Sequence, residues 1–176
     1  MALERGRQSV LLRKGGLRED DGAFRIDEQQ FLLMPTYEHQ RPDWLEPEHA
    51  PLIADSDVSE PHAASIRISA WAVVARVFRV ETDEAAHRLG NLMVTNDVFV
   101  QSRLEFNPYD PLYALALRVY RLPEPVWVAA SPAYGGCRSW ITLDQGIDVR
   151  GSVPTLSEAV FDATLRNIES AATSGR

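Results

Sequence analysis

At 176 residues, with 45% apolar and 24% charged side chains, the chain is long enough for one domain with a buried core. A formal charge of −7 disfavours non-specific DNA binding, and a single cysteine, Cys137, excludes an internal disulfide framework and a cysteine-rich zinc site. No apolar run approaches the roughly 18 residues of a membrane span, and Glu4, Arg5 and Arg7 stand where a secretory leader would turn apolar, so a cytoplasmic location and no membrane partner are expected.

In chain order, residues 8–12 form a short strand-like run that stops at Gly15-Gly16. Residues 17–23 are charged, contain Gly22 and read as a loop. Residues 31–34 are a compact apolar run, a buried strand in style, ended by Pro35. Pro42, Pro47 and Pro51 keep residues 41–51 from being regular for long. Residues 55–62 are a polar stretch, expected to be mobile.

Ile66, Ile68 and Ala70 alternate with Arg67 and Ser69, and the pattern continues to Val80 as one long strand or two broken near Trp71. Thr82 caps a helix to about Leu92, with Asp83 and Glu84 in the first turn, where the helix dipole favours acids. Asn96 starts a second helix, closed by residues 107–111 with their two prolines. Residues 112–122 are the clearest strand, with Leu115, Leu117 and Val119 on one side and Arg118 and Tyr120 on the other. Residues 126–129 and 139–143 are further strands around a turn at 132–136. Ser157 caps a last helix with Val160, Phe161, Leu165 and Ile168 on one face, and the tail from Ala171 is expected to fray.

Strands, a helix pair, strands and a helix do not make the βαβ alternation of a doubly wound sheet. The expected architecture is a single α+β domain over residues 1–170. It has a mixed or antiparallel sheet, with a partly closed barrel as one form it can take, and helices packed on one side.

Charge is uneven. Residues 1–18 hold Arg5, Arg7, Arg13, Lys14 and Arg18 against Glu4, whereas residues 19–60 hold twelve acids against Arg25 and Arg41. Three short segments concentrate the unusual polar residues. In the first, Arg13, Lys14, Gly15 and Gly16 follow a strand. Glycines let backbone approach a phosphate and the cations would neutralise it, although the Walker spacing is absent. The alternative is a Gly-Gly turn with solvated charges.

The second segment, PTYEHQ over residues 35–40, places Tyr37, Glu38, His39 and Gln40 directly after a strand, where functional side chains concentrate. His39 is the candidate catalytic base, because imidazole titrates near neutrality; an ordinary hydrogen-bonded histidine is the alternative. The histidines have neither HxH nor HExxH spacing, so no metal is assigned. The third segment runs from Tyr134 through Gly135, Gly136, Cys137, Arg138 and Ser139 to Trp140. Tyr134 and Arg138 are candidate ligand contacts there. A lone cysteine is more often a small buried residue than a nucleophile; Trp140 and Tyr134 either stack on a ligand or cap the core, the core reading being favoured for Trp140. Arg118 and Tyr120 share a sheet face and could hold a phosphate or stack on a base, or form an exposed cross-strand pair.

The stretches LLRKGGLRE (residues 11–19), FLLMPTYEHQ (31–40) and LRVYRLPEPV…YGGCRSW (117–140) resemble the bacterial family called domain of unknown function 1802, from about Ala2 to the last helix. The family name carries no activity. Its relatives' association with restriction-endonuclease-type domains implies a role beside DNA modification or defence. Relatives have a segment like ALKEWA before the first strand. Here the chain opens at Met1-Ala2-Leu3, so that either this element is missing or the start site differs; a missing element implies an exposed strand edge and self-association as a homo-oligomer.

Three functions stay open from the sequence. The first is a nucleic-acid- or nucleotide-associated module in which Arg13, Lys14, Arg118 and Tyr120 converge in one groove. The second is a non-catalytic protein-interaction or regulatory domain. The third is a small hydrolase built on His39. No cofactor is implied by any of them.

Overall fold

The computed structural model of the chain describes residues 1–14, 18–20, 23–25, 29–35, 41–54, 64–134 and 140–174. In chain order the elements are β1 (Val10–Lys14), β2 (Arg18–Asp20), β3 (Ala23–Arg25), β4 (Gln30–Leu32), a single helical turn α1 (Pro51–Ala54), β5 (Ser65–Val80), α2 (Asp83–Gly90), α3 (Asp97–Glu105), β6 (Leu112–Ala129), β7 (Val153–Pro154) and α4 (Glu158–Thr173).

The long alternating stretches become one antiparallel pair. Strand β5 runs beside β6 from Ser65 opposite Ala129 to Val80 opposite Leu112. The sheet is ordered β1-β6-β5-β4, with β7 added to β6 beyond the end of β1. Every described pairing is antiparallel, and the sheet does not close into a barrel. The expected separate strands at 112–122 and 126–129 are one element, β6. Its ladder with β5 steps from Arg121–Ala70 to Val126–Ile68, so Pro123, Glu124 and Pro125 fall in a bulge. Two prolines without N–H groups are tolerated there because that stretch does not donate to the ladder.

Two expectations for local structure fail. Residues 18–20 and 23–25 form a separate two-stranded ladder, Arg18 opposite Arg25 and Asp20 opposite Ala23, rather than a loop. Asp21-Gly22 between them is a residue pair that favours tight hairpins, and it was the available signal. Residues 140–143 are not a strand. Ile141 and Leu143 satisfy their apolar character by packing on Ile68, Leu122, Val128 and Tyr134, not by pairing.

The two faces of the sheet carry different covers. On one face Val10, Leu12, Leu112, Ala114 and Ala116 meet Ala86 and Leu89 of α2, Val100 of α3, and Ile168 and Ala172 of α4. These helices are fixed at their starts by side-chain caps. Thr82 Oγ1 accepts from Ala85 N at 3.2 Å, Asn96 Oδ1 from Phe99 N at 3.3 Å, and Ser157 Oγ from Val160 N at 3.4 Å. Gly90 lets α2 and α3 close up, since a Cβ there would lie 2.5 Å from Val100 Cγ2. Helix α4 runs past its expected end to Thr173, and Arg88 Nε holds it by donating to Ala171 O at 3.1 Å. Val160, expected on the buried face of α4, is 50% exposed.

On the opposite face Ala70, Ala72, Tyr113, Leu115, Leu117 and Val119 are buried with Leu3, Leu11, Phe31 and Leu33. None of those neighbours comes from a helix. Among the described residues no helix is long and apolar enough to cross a membrane.

Candidate ligand groove

Successive residues of a strand point to opposite faces of the sheet. In β1, Leu12 therefore joins the helix-covered core while Leu11 joins the other face. Arg13 and Lys14, adjacent in sequence, separate in the same way. Lys14 lies opposite Leu112 and reaches the end of α3. Its Nζ donates to Leu104 O at 2.8 Å and Asn107 O at 3.1 Å. Those are carbonyls at a helix C-terminus, where a cation is favoured.

Arg13, opposite Tyr113, lies against Trp140, its Cζ 4.6 Å from the ring centroid. The Trp140 ring meets Phe31 of β4 edge-on, with centroids 4.9 Å apart and planes at 80°. Arg13, Trp140 and Phe31 thus form one ladder across strands β1 and β4. Partial burial lowers the pKa of the Arg13 guanidinium below its ordinary value. The ring's electron-rich face offsets part of that desolvation.

The ladder borders a groove of about 1060 Å³. Leu3, Leu11, Leu33, Leu115 and Ile141 supply apolar wall, while Gln30, Arg67, Thr142 and Gln145 supply polar groups. Pro35 also lines it. Among the described residues, each of the three segments singled out by sequence therefore contributes one residue to this groove: Arg13, Pro35 and Trp140. Trp140 is 36% exposed, so the expectation of a core tryptophan is replaced by one at the groove wall. Sequence reasoning missed Phe31 and Arg67 as groove residues.

The other candidates do not join Arg13. Arg118 and Tyr120 project to the side away from Leu117 and Val119, so they stand on the opposite face. The Arg118 guanidinium lies over Phe161 of α4, 4.5 Å to the centroid, and its Nη2 donates to Glu158 Oε2 at 2.8 Å. It ties the start of α4 to the sheet. Tyr120 stacks on Trp71 at 4.5 Å and 15°. Tyr134 is buried and its hydroxyl donates to Asp144 Oδ2 at 2.8 Å while accepting from Asp144 N at 3.0 Å. The expected convergence of Arg13, Lys14, Arg118 and Tyr120 in one groove is thus overturned by strand parity. Arg118 and Lys14 are further separated by six residues of strand, roughly 20 Å.

Gly15, Gly16, Tyr37, His39, Gln40 and Arg138 lie outside the described residues, as do Glu38 and Cys137. Among the described residues no three His, Cys, Asp or Glu side chains gather as a metal site.

No curated protein and no solved structure matches the chain. The family model described as domain of unknown function (DUF1802) matches residues 1–167, a span that carries the whole sheet, the Arg13–Trp140–Phe31 ladder and most of α4; the chain belongs to that family.

Proposed function

We propose that this domain binds a nucleotide or a single-stranded nucleic acid in the groove beside Arg13 and Trp140, in the setting of DNA modification or defence. The observation that carries the reading is the Arg13–Trp140 stack at a groove that also holds Arg67. A base presents a flat apolar face and a phosphate a charge. An aromatic wall next to arginine suits both. The apolar stretch from Leu3 to Leu115 would bury the base, and the two arginines would neutralise backbone phosphate. The acidic total charge fits a local contact better than a long basic track.

Fluorescence anisotropy with a labelled single-stranded oligonucleotide and competition by ATP tests this. Two neutralised phosphates give a log–log salt slope of about −1.4 between about 50 and 200 mM salt. Arg13→Ala weakens binding about tenfold, the scale of one lost charged contact. Arg121→Ala, an exposed cation outside the groove, leaves it unchanged. Absence of binding at low salt, or binding with no salt dependence, overturns the reading. Capture of an apolar peptide instead would favour the protein-interaction alternative.

A further inference from the structure

A second, smaller pocket of about 320 Å³ lies away from the groove's arginine ladder, between the 41–45 segment and α3. Its walls are held by Asn96, which works in two directions. Asn96 Oδ1 caps α3 while its Nδ2 donates to Asp43 O at 2.9 Å and Leu45 O at 3.2 Å. Asn96 N donates to Trp44 O at 2.9 Å, and Leu45 bridges to Thr95. The Trp44 ring packs edge-on against Phe99, with centroids 5.5 Å apart. These bonds assemble the pocket from backbone outward.

Two arginines line it. Arg41 is already neutralised, bound through Nε and Nη2 to both carboxylate oxygens of Asp43. Arg103 has no carboxylate partner among the described residues. Its guanidinium sits 5.6 Å from Trp44, 5.5 Å from Phe99 and 5.5 Å from Phe106. Its Nε is buried without a hydrogen-bond partner, and so is the Thr95 hydroxyl in the same pocket. Burial lowers the Arg103 pKa below its ordinary value. A buried donor left unpaired is costly, and aromatic faces supply charge stabilisation but no acceptor atom. Among the described residues the pocket therefore holds one positive charge without a carboxylate partner, two buried hydrogen-bonding groups without a partner and an aromatic wall.

We propose that this pocket binds a small aromatic or apolar monocarboxylate, its carboxylate accepting from Arg103 Nε and Thr95 Oγ1 and its flat body lying against Trp44 and Phe99. One net positive charge matches a single carboxylate better than a phosphate ester, which carries nearly two negative charges at neutral pH. The volume is at the lower end of small-molecule sites. Thr95 and Phe99 also line the Arg13 groove, so the two sites adjoin, but Arg103 and Trp44 line the smaller pocket and not the groove.

The test follows the Trp44 indole resonance of the full chain by NMR during titration with benzoate, phenyl phosphate and neutral benzyl alcohol. Benzoate is expected to shift that resonance with a dissociation constant on the order of 1 mM, typical of a ligand this small. Phenyl phosphate and benzyl alcohol are expected to bind at least about tenfold more weakly, the scale of one charge-assisted contact. Arg103→Gln should abolish the benzoate shift, and Thr95→Val should weaken it severalfold while the Arg13→Ala variant binds as the parent does. Thr95→Val decides the matter if Arg103→Gln fails to fold. No shift with benzoate at about tenfold the expected constant, equal affinity for benzyl alcohol, or unchanged binding by both pocket variants overturns the proposal. The last would leave Arg103 as a structural cation held by its three rings.

Discussion

The two faces of the sheet use the same residue types for different ends. On the helix-covered face each cation singled out by sequence is occupied with holding helices. Lys14 binds the carbonyls at the end of α3, and Arg118 holds the start of α4 through Glu158 and Phe161. On the other face Arg13 lies on an aromatic ring beside a groove. Lys14 takes two carbonyl acceptors from the end of α3, and Arg118 takes a carboxylate from the first turn of α4. A cation along a groove wall has a place for a ligand within reach. Residue type and spacing do not distinguish these cases, but strand parity does.

The largest effect should come from breaking the helix cover. Ile168 is fully buried between α4 and the sheet. Ile168→Ala should cost about 2–5 kcal/mol of stability, the transfer loss plus the cavity it leaves. Urea unfolding monitored by circular dichroism measures it. A loss under about 1 kcal/mol would mean that α4 covers the core loosely, and the contrast between the faces would weaken.

Lys14 sharpens the contrast with its neighbour. Lys14→Ala removes two charge-assisted hydrogen bonds to α3 and should lower stability by about 1–2 kcal/mol, less than the isolated strength of such bonds because the site is partly exposed. At concentrations where the variant remains folded, its oligonucleotide affinity should match the parent's. Arg13→Ala should do the reverse, with lost affinity and a smaller change in urea midpoint. The same phenotype for both would deny the division of labour between the faces.

Much of this was legible before the structure. Thr82, Asn96 and Ser157 announced three helices because a short polar side chain before an apolar period has one common use. The alternation of residues 66–70 and 112–122 announced the two central strands, though not that they pair with each other. What was missed depended on partners distant in sequence. The apolar run at 140–143 carries the composition of a strand, yet cluster packing against Ile68 and Leu122 takes the place of a ladder. Val160 fits the helical period but falls outside the strip that α4 buries. Residues 18–25 were dominated by their charge, which hid a hairpin. Of the three signature segments, Arg13, Pro35 and Trp140 line the groove, whereas Lys14 and Tyr134 are bonded elsewhere. The smaller pocket was not legible at all. Trp44, Thr95 and Arg103 come from separate stretches, and nothing in any one of them marks Asn96 as the residue that joins them.

The smallest expected effect separates Arg13 from His39 as the residue that sets binding. Burial lowers the Arg13 pKa, but a guanidinium stays charged across the neutral range. If Arg13 supplies the positive charge, oligonucleotide affinity should be flat between about pH 6 and 8, because no group in that role changes its proton there. An imidazole contact would instead strengthen binding as pH falls through about 6.5, since only the protonated ring attracts phosphate. The fold itself should not confuse the reading. The carboxylates of Asp43, Glu84 and Asp148 are held below their ordinary values, respectively by Arg41, by backbone N–H together with Thr82, and by Arg150. A lowered folded value means that the native state binds its proton less readily than the unfolded chain. Their stabilisation is therefore complete above the ordinary carboxylate value and is lost only as pH falls through the lowered one. That window lies below about pH 4, clear of the range in which imidazole titrates. A pH-independent affinity whose log–log salt slope falls from about −1.4 to about −0.7 in Arg13→Ala would fix one of the two charges at Arg13. An inflection near the imidazole value, lost in His39→Ala, would move the centre of the site to the PTYEHQ segment.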